Sequence, residues 1–438
     1  MTLCAGTAIG VVVGLKDNDE APKAATETNG VTVSQQELRD LLKEHNEALA
    51  GKDLAAFLAP FDTTDKNLVA SQTRLFKNLG KLPLSVSHYE TLDQQGRTSD
   101  SLGRAVTFDL DVQFVHQFDG FDLAPVVEWY RWSIRRESKG APLKITAVTG
   151  APLGGSSDSK TYYYPGPWDT WSDIHVERTE HVLMMAEPKH ATEAKRYAPI
   201  AEAAAARNLD AWADGGATGD VPKGFVISLA RGKKQLGELY QIAVEKPTEA
   251  GFSMPIPSVD PRQSGYTIGG SRVVVDLSSS FFRSGNTQGP REIFRHELAH
   301  SLVSSLEKPG EGIAASLRSG LETWTVEGFA EYLAHRGERL TESSRTGRAR
   351  EFVRGGWDGK LPENFDWAIP TSRESFHYWL GHAAMTYLAE KYGEQRLFEF
   401  VVASYRGAKP DDACRKVLGV SFSQFEAGWA GYVRSQVS

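Results

Sequence analysis

Only two cysteines, Cys4 and Cys414, occur in 438 residues. A disulfide framework or a zinc ribbon needs closely spaced cysteine pairs, so both are excluded, and any metal held by this chain must take histidine and carboxylate ligands. No apolar run reaches the roughly 20 residues of a membrane-spanning helix. Long runs of lysine or arginine are missing too, and with a formal charge of −7 the chain offers no surface suited to nucleic acid. No internal repeat of fixed period is evident.

What is present is the composition of a globular protein, 40% hydrophobic and 24% charged. The chain is too long for one ordinary core, because single domains usually run to roughly 100–250 residues. Two α+β domains are expected. Residues 3–15, LCAGTAIGVVVGL, are apolar for 13 positions and precede Lys16 and the polar stretch DNDEAPKAATETNG. This run has the length of a signal core but lacks a basic leader and a clear small-x-small cleavage site, and Cys4 follows no lipobox. It reads as the remnant of an export signal or membrane anchor, the alternative being a short buried segment. Residues 1–30 are therefore set apart as apolar segment and linker, and an extracytoplasmic location, secreted or anchored in the cell envelope, is the expectation.

Regular structure is expected from Ser34, where Ser34 and Glu37 form a capping box and Leu38, Leu41, Leu42, His45 and Leu49 make one apolar stripe ending at Gly51. A short helix over 53–61 follows. From Val106 to Phe114 apolar and polar residues alternate, the signature of a strand with one wet face. Similar strands are expected at 85–93, 125–136 and 143–149. Helices followed by an antiparallel sheet make residues 31–150 an accessory α+β domain whose element order resembles the cone-shaped, nuclear-transport-factor-type fold. Its His88 and His116 have no partners at ligand spacing and read as ordinary sheet histidines. The aromatic, turn-rich stretch 151–172 reads as a connection. Beyond it, 190–214 is helical, FVISLA (225–230) and RVVVDL (272–277) are continuous apolar strands, and helices dominate after Pro290.

The chemistry lies in FRHELAHSL (294–302), where His296, Glu297 and His300 stand at the spacing H-E-x-x-H. On a helix, positions i and i+4 share a face one turn apart, so both imidazoles can reach one ion while Glu297 borders the same site. Zinc suits such donors, and it leaves room for a water that the carboxylate can deprotonate. Three fixed positions in five also arise by accident, so the third ligand decides. Val303 and Leu306 stand where a metzincin would carry its glycine and third histidine. WTVEGFAEYL (324–333) instead offers a glutamate on a later helix.

At this point the chain resembles the gluzincins, the clan of thermolysin-like proteases and zinc aminopeptidases, whose second helix commonly reads W-x-x-E-G-x-A-x-Y; Trp324, Glu327, Gly328, Ala330 and Tyr332 stand at those places. The resemblance covers about residues 175–400 and makes 173–438 a zinc metallopeptidase-like domain, a sheet followed by helices. It implies Glu327 as third ligand, Glu331 as the carboxylate behind a ligating histidine, Tyr378 as an electrophile to the oxyanion, and RVVVDL as the edge strand against which a peptide pairs, a buried central strand being the alternative for RVVVDL. His377 and His382 are neighbours that share the electrophile's task or line the cleft, and His335 reads as a surface residue. No G-x-M-E-N-type segment for a free amine is present, and GFSMPIP (251–257) is no substitute. Hydrolysis of peptide or protein substrates inside the chain is therefore expected, with a catalytically silent zinc-containing binding or scaffold protein as the alternative. Oligomeric state is left open.

Overall fold

The computed structural model describes residues 31, 33–91, 105–151, 163–241, 250–258, 267–283, 285, 287–307, 321–364 and 373–437. The apolar run at 3–15 lies outside them. Helices α1 (Gln35–Ala50), α2 (Leu54–Leu58) and α3 (Lys66–Leu79) come first. The capping box of α1 forms: the Glu37 amide donates to Ser34 Oγ at 3.2 Å, and the Ser34 amide donates to Glu37 Oε2 at 2.8 Å. Strands β1 (Leu84–Thr91), β2 (Val106–Phe118), β3 (Val126–Arg136) and β4 (Lys144–Gly150) then pair antiparallel as a meander. His88 pairs with Glu90 at 2.8 Å, and His116 is fully buried, its Nε2 accepting from Arg272 Nη2 at 3.1 Å.

The rest of the chain adds β5 (His175–Arg178), β6 (Val182–Ala186), α4 (Ala191–Asp214), β7 (Phe225–Ala230), β8 (Gly251–Ser258) and β9 (Thr267–Asp276). Helices α5 (Gln288–Val303), α6 (Thr323–Ala334), α7 (Glu374–Tyr392), α8 (Glu394–Tyr405) and α9 (Phe422–Val437) follow, with a shorter helix over Thr346–Arg354. No helix among the described residues is long and apolar enough to cross a membrane.

Among the described residues, the nine strands belong to one mixed sheet, curled as a half-barrel, in the order β1-β2-β3-β8-β9-β7-β6-β5, with β4 beside β3. Strands β6, β7 and β9 run parallel, whereas β5 and β8 are antiparallel to their neighbours. The halves recognised in the sequence thus share a sheet, joined where β3 meets β8 at Val126 and Ser258. Side chains alternate across β6, β7 and β9 and divide between two cores. Met184, Ile227, Val273 and Val275 face the helices. Met185, Val226 and Val274 face a core that also holds Trp129, Trp168 and Tyr240. Covered on both faces, these strands have no wet side, which is why their sequences run apolar without alternation.

This arrangement decides between the two readings of RVVVDL, against the edge strand and for the central one. RVVVDL lies in β9, between β7 and β8, and is a central strand. The strand at the cleft is β8, whose Pro255 and Pro257 remove amide donors, a loss tolerated at an edge and not inside a sheet.

Candidate metal centre

Helix α5 packs Ile293, Phe294, Leu298 and Leu302 into the core and is tied to α4 by Asn208 Nδ2, which donates to the Arg295 carbonyl at 2.8 Å. That fixes its remaining face against a cavity of about 450 Å³, which His296, Glu297 and His300 line. Ser253 of β8 and Ser301 of α5 join hydroxyls at 2.8 Å and set the strand beside the helix. Gly251 allows the close approach, because a Cβ there would stand 3.3 Å from Glu297 Cγ and 3.0 Å from the Val274 carbonyl oxygen.

Helix α6 brings Glu327 to the two imidazoles. Its Oε2 lies 3.3 Å from His296 Nε2 and 3.5 Å from His300 Nε2, and the two Nε2 atoms are 3.2 Å apart. Glu327 Oε2 is buried and accepts no hydrogen bond of good geometry. Three lone-pair atoms facing one another at such spacing leave a hydrogen-bonding demand that one cation satisfies. Tetrahedral ligands about 2.0–2.1 Å from a zinc ion stand about 3.3–3.4 Å apart, so the donor set fits such an ion in both chemistry and spacing. Burial opposes charge on His296, but Glu327 and Glu331 outweigh it and hold its pKa well above the usual imidazole value. The carboxyl of Glu327 is correspondingly held below its ordinary range, since the two imidazoles overcome the cost of its burial.

Behind the triad, Glu331 Oε1 sits 3.2 Å from His296 Nδ1. Its other oxygen accepts from Arg345 Nη1 at 2.6 Å, and His335 Nε2 lies 3.8 Å from that same oxygen. Burial would raise the Glu331 pKa, yet His296 and Arg345 lower it to about 2. His335 is buried, not on the surface: Glu338 Oε2 takes its Nδ1 at 2.9 Å, Glu292 Oε1 lies 3.5 Å from its Nε2, and its ring stacks on His382.

Tyr378 lines the cavity with its ring centroid 6.2 Å from that of His296 and the Arg345 guanidinium 5.3 Å above it. Glu327 and burial push its phenol well above the usual value, so the hydroxyl keeps its proton. His377 and His382 are buried and do not line this cavity. Arg345, Glu307 and Tyr405 do line it, and sequence reading missed them. Arg345 and Tyr405 are brought there by the fold, and Glu307 by the single turn that follows the motif helix.

No protein-family model matches the chain, and no curated protein matches it.

Proposed function

We propose that this chain is a zinc-dependent metalloendopeptidase of gluzincin type. The observation that carries the reading is the convergence of His296 Nε2, His300 Nε2 and the hydrogen-bond-deficient Glu327 Oε2 within 3.2–3.5 Å of one another, on a cavity that Glu297 also lines. His296, His300 and Glu327 would hold the ion. When bound, zinc supplies Lewis acidity and makes a water nucleophilic at neutral pH.

The remaining work falls to side chains. Glu297, adjacent to His296 and 5% exposed, accepts the proton of the attacking water and returns it to the leaving amine. Tyr378 donates its retained proton as a hydrogen bond to the oxyanion of the tetrahedral intermediate. Glu331 accepts Nδ1–H of His296 and so turns the Nε2 lone pair toward the triad, while Arg345 holds Glu331 in place. Among the described residues β3 pairs with β8 at Ser258, which leaves the edge of β8 at Gly251–Met254 for an extended peptide.

The first half of the molecule, three helices with four antiparallel strands, supports the cone-shaped reading through element order and takes no part in this chemistry. Export or envelope attachment through residues 3–15 belongs to the same proposal. Elemental analysis of the purified chain, together with turnover of a peptide pool, tests it. About one zinc per chain is expected, lost or greatly weakened in Glu327→Ala. Glu297→Gln retains the metal and loses cleavage. A parent chain that takes up no zinc sinks the reading, and one that binds zinc but cleaves nothing leaves the silent binding protein in its place.

A further inference from the structure

The cleft is acidic beyond what its chemistry uses. Among the described residues, Glu292, Glu297, Glu307, Glu327, Glu331 and Glu374 line it against one guanidinium, Arg345, and the two imidazoles of the triad, so a divalent ion on those imidazoles still leaves carboxylates in excess. Most of the six have a task or a partner. Glu327 belongs to the triad, Glu331 serves His296 and Arg345, Glu292 faces His335, and Glu297 is placed for proton transfer. Glu374 occupies the first turn of α7, where the helix amides favour a negative charge.

Glu307 is the remainder. A single 3-10 turn (Ser304–Leu306) after α5 places it, and its amide donates to the Ser304 carbonyl at 3.2 Å. Its position is therefore coupled to the helix that carries His296 and His300. The carboxylate is half-buried on the cavity wall with Ser304, Val326 and Tyr405, and among the described residues no lysine, arginine or histidine pairs with it. The buried Tyr405 lines the same cavity, its phenol held well above the usual value by burial, with Glu307 and Glu327 adding to the shift. With no cation beside it among the described residues, burial raises the pKa of Glu307 to about 7, and a ligand cation brought against it restores the charged form and is held in return.

We propose that Glu307 is the specificity residue of the cleft and receives the cationic head of a lysine or arginine side chain from the bound peptide. This rests on the peptide-binding reading of the metal centre. Substrates are then basic peptides or basic stretches of proteins, and neutral peptides are poor ligands.

The experiment measures binding of short alanine-based peptides, acetylated and amidated, that carry one central lysine, arginine, norleucine or glutamate. The full chain with Glu297→Gln is the receptor, so that nothing is consumed. Lysine and arginine peptides are expected to bind about tenfold tighter than the norleucine peptide, the scale of one partly buried ion pair. Adding Glu307→Gln removes that advantage, and Glu307→Lys shifts preference to the glutamate peptide, an outcome that mere unfolding does not produce. An unacetylated norleucine peptide that binds as tightly as the lysine peptide would move the cation from a side chain to the substrate N terminus, with Glu307 still its receptor. Equal affinity of all capped peptides, or a lysine advantage that survives Glu307→Gln, overturns the proposal. Turnover of the same set by the zinc-loaded parent separates the two readings. Cleavage without preference for basic residues removes the specificity and leaves the peptidase; charge-selective binding without cleavage removes the peptidase and leaves the specificity.

Discussion

Glu331 is one turn from Glu327 and faces three cationic or titratable partners, His296, His335 and Arg345. Its two oxygens divide between His296 Nδ1 and Arg345 Nη1. A neutral imidazole that donates through Nδ1 must accept or ligate through Nε2, so the carboxylate selects the tautomer the triad needs. Glu331→Gln keeps the shape but loses the charge, and an amide can present its NH₂ to His296 and so stabilise the wrong tautomer. Zinc affinity is expected to fall about 10–100-fold, the usual cost of losing such a partner. Competitive titration against a chromophoric chelator measures it. Unchanged affinity would mean that Arg345 and the packing around His296 orient the ring without Glu331.

At the scale of elements, the site depends on how closely two helices cross. Gly328, next to Glu327, faces Gly381 of α7, and a Cβ on it would stand 2.5 Å from the Gly381 carbonyl oxygen. No real Cβ sits that close to backbone, so Gly328→Ala must push α6 and α7 apart. About 1–3 kcal/mol of stability should be lost, as with other overpacked sites. Glu327 moves with α6, so zinc affinity should fall in the same variant. Thermal unfolding and zinc titration together read this, and a variant as stable and as tight as the parent would show that the crossing relaxes freely. The same crossing shows what could be read in advance. The helix with HELAH, the glutamate of the second helix, the capping box of α1 and the alternation in β2 are local patterns, and local spacing determines what they build. Which strand borders the cleft is decided by pairing: β9 lies between β7 and β8, and the one local sign of it is the pair of prolines in β8, Pro255 and Pro257. Arg345 and Glu307 carried no pattern at all, and His335 was placed by what stacks on it, not by its neighbours in the chain.

For the whole molecule, the shared sheet buries charge between its two halves. Arg272 of β9 is fully buried and holds Asp122 by two contacts, at 2.6 and 3.1 Å, while its Nη2 also donates to His116. Close by, Tyr130 bridges two carboxyls of the same core: its hydroxyl lies 3.0 Å from Asp169 Oδ1 and 3.4 Å from the fully buried Glu128 Oε2. Burial raises the pKa of both acids, that of Asp169 to about 7, and the charge of Asp169 further opposes ionisation of Glu128. The folded chain therefore binds protons here that the unfolded chain has released. Stability from this pair is fully present below the unfolded carboxyl pKa of about 4 and is lost as pH rises through about 7. The magnitude is on the order of a few kcal/mol. Asp169→Asn removes the ionisation and keeps an oxygen for the Gly166 amide, which donates to Asp169 Oδ2 at 2.8 Å. In chemical denaturation followed from pH 5 to 9, the parent should lose stability relative to this variant through the neutral range. Parallel curves across that range would mean that water or a rearranged Tyr130 solvates the pair, and that the junction between the halves tolerates both charges.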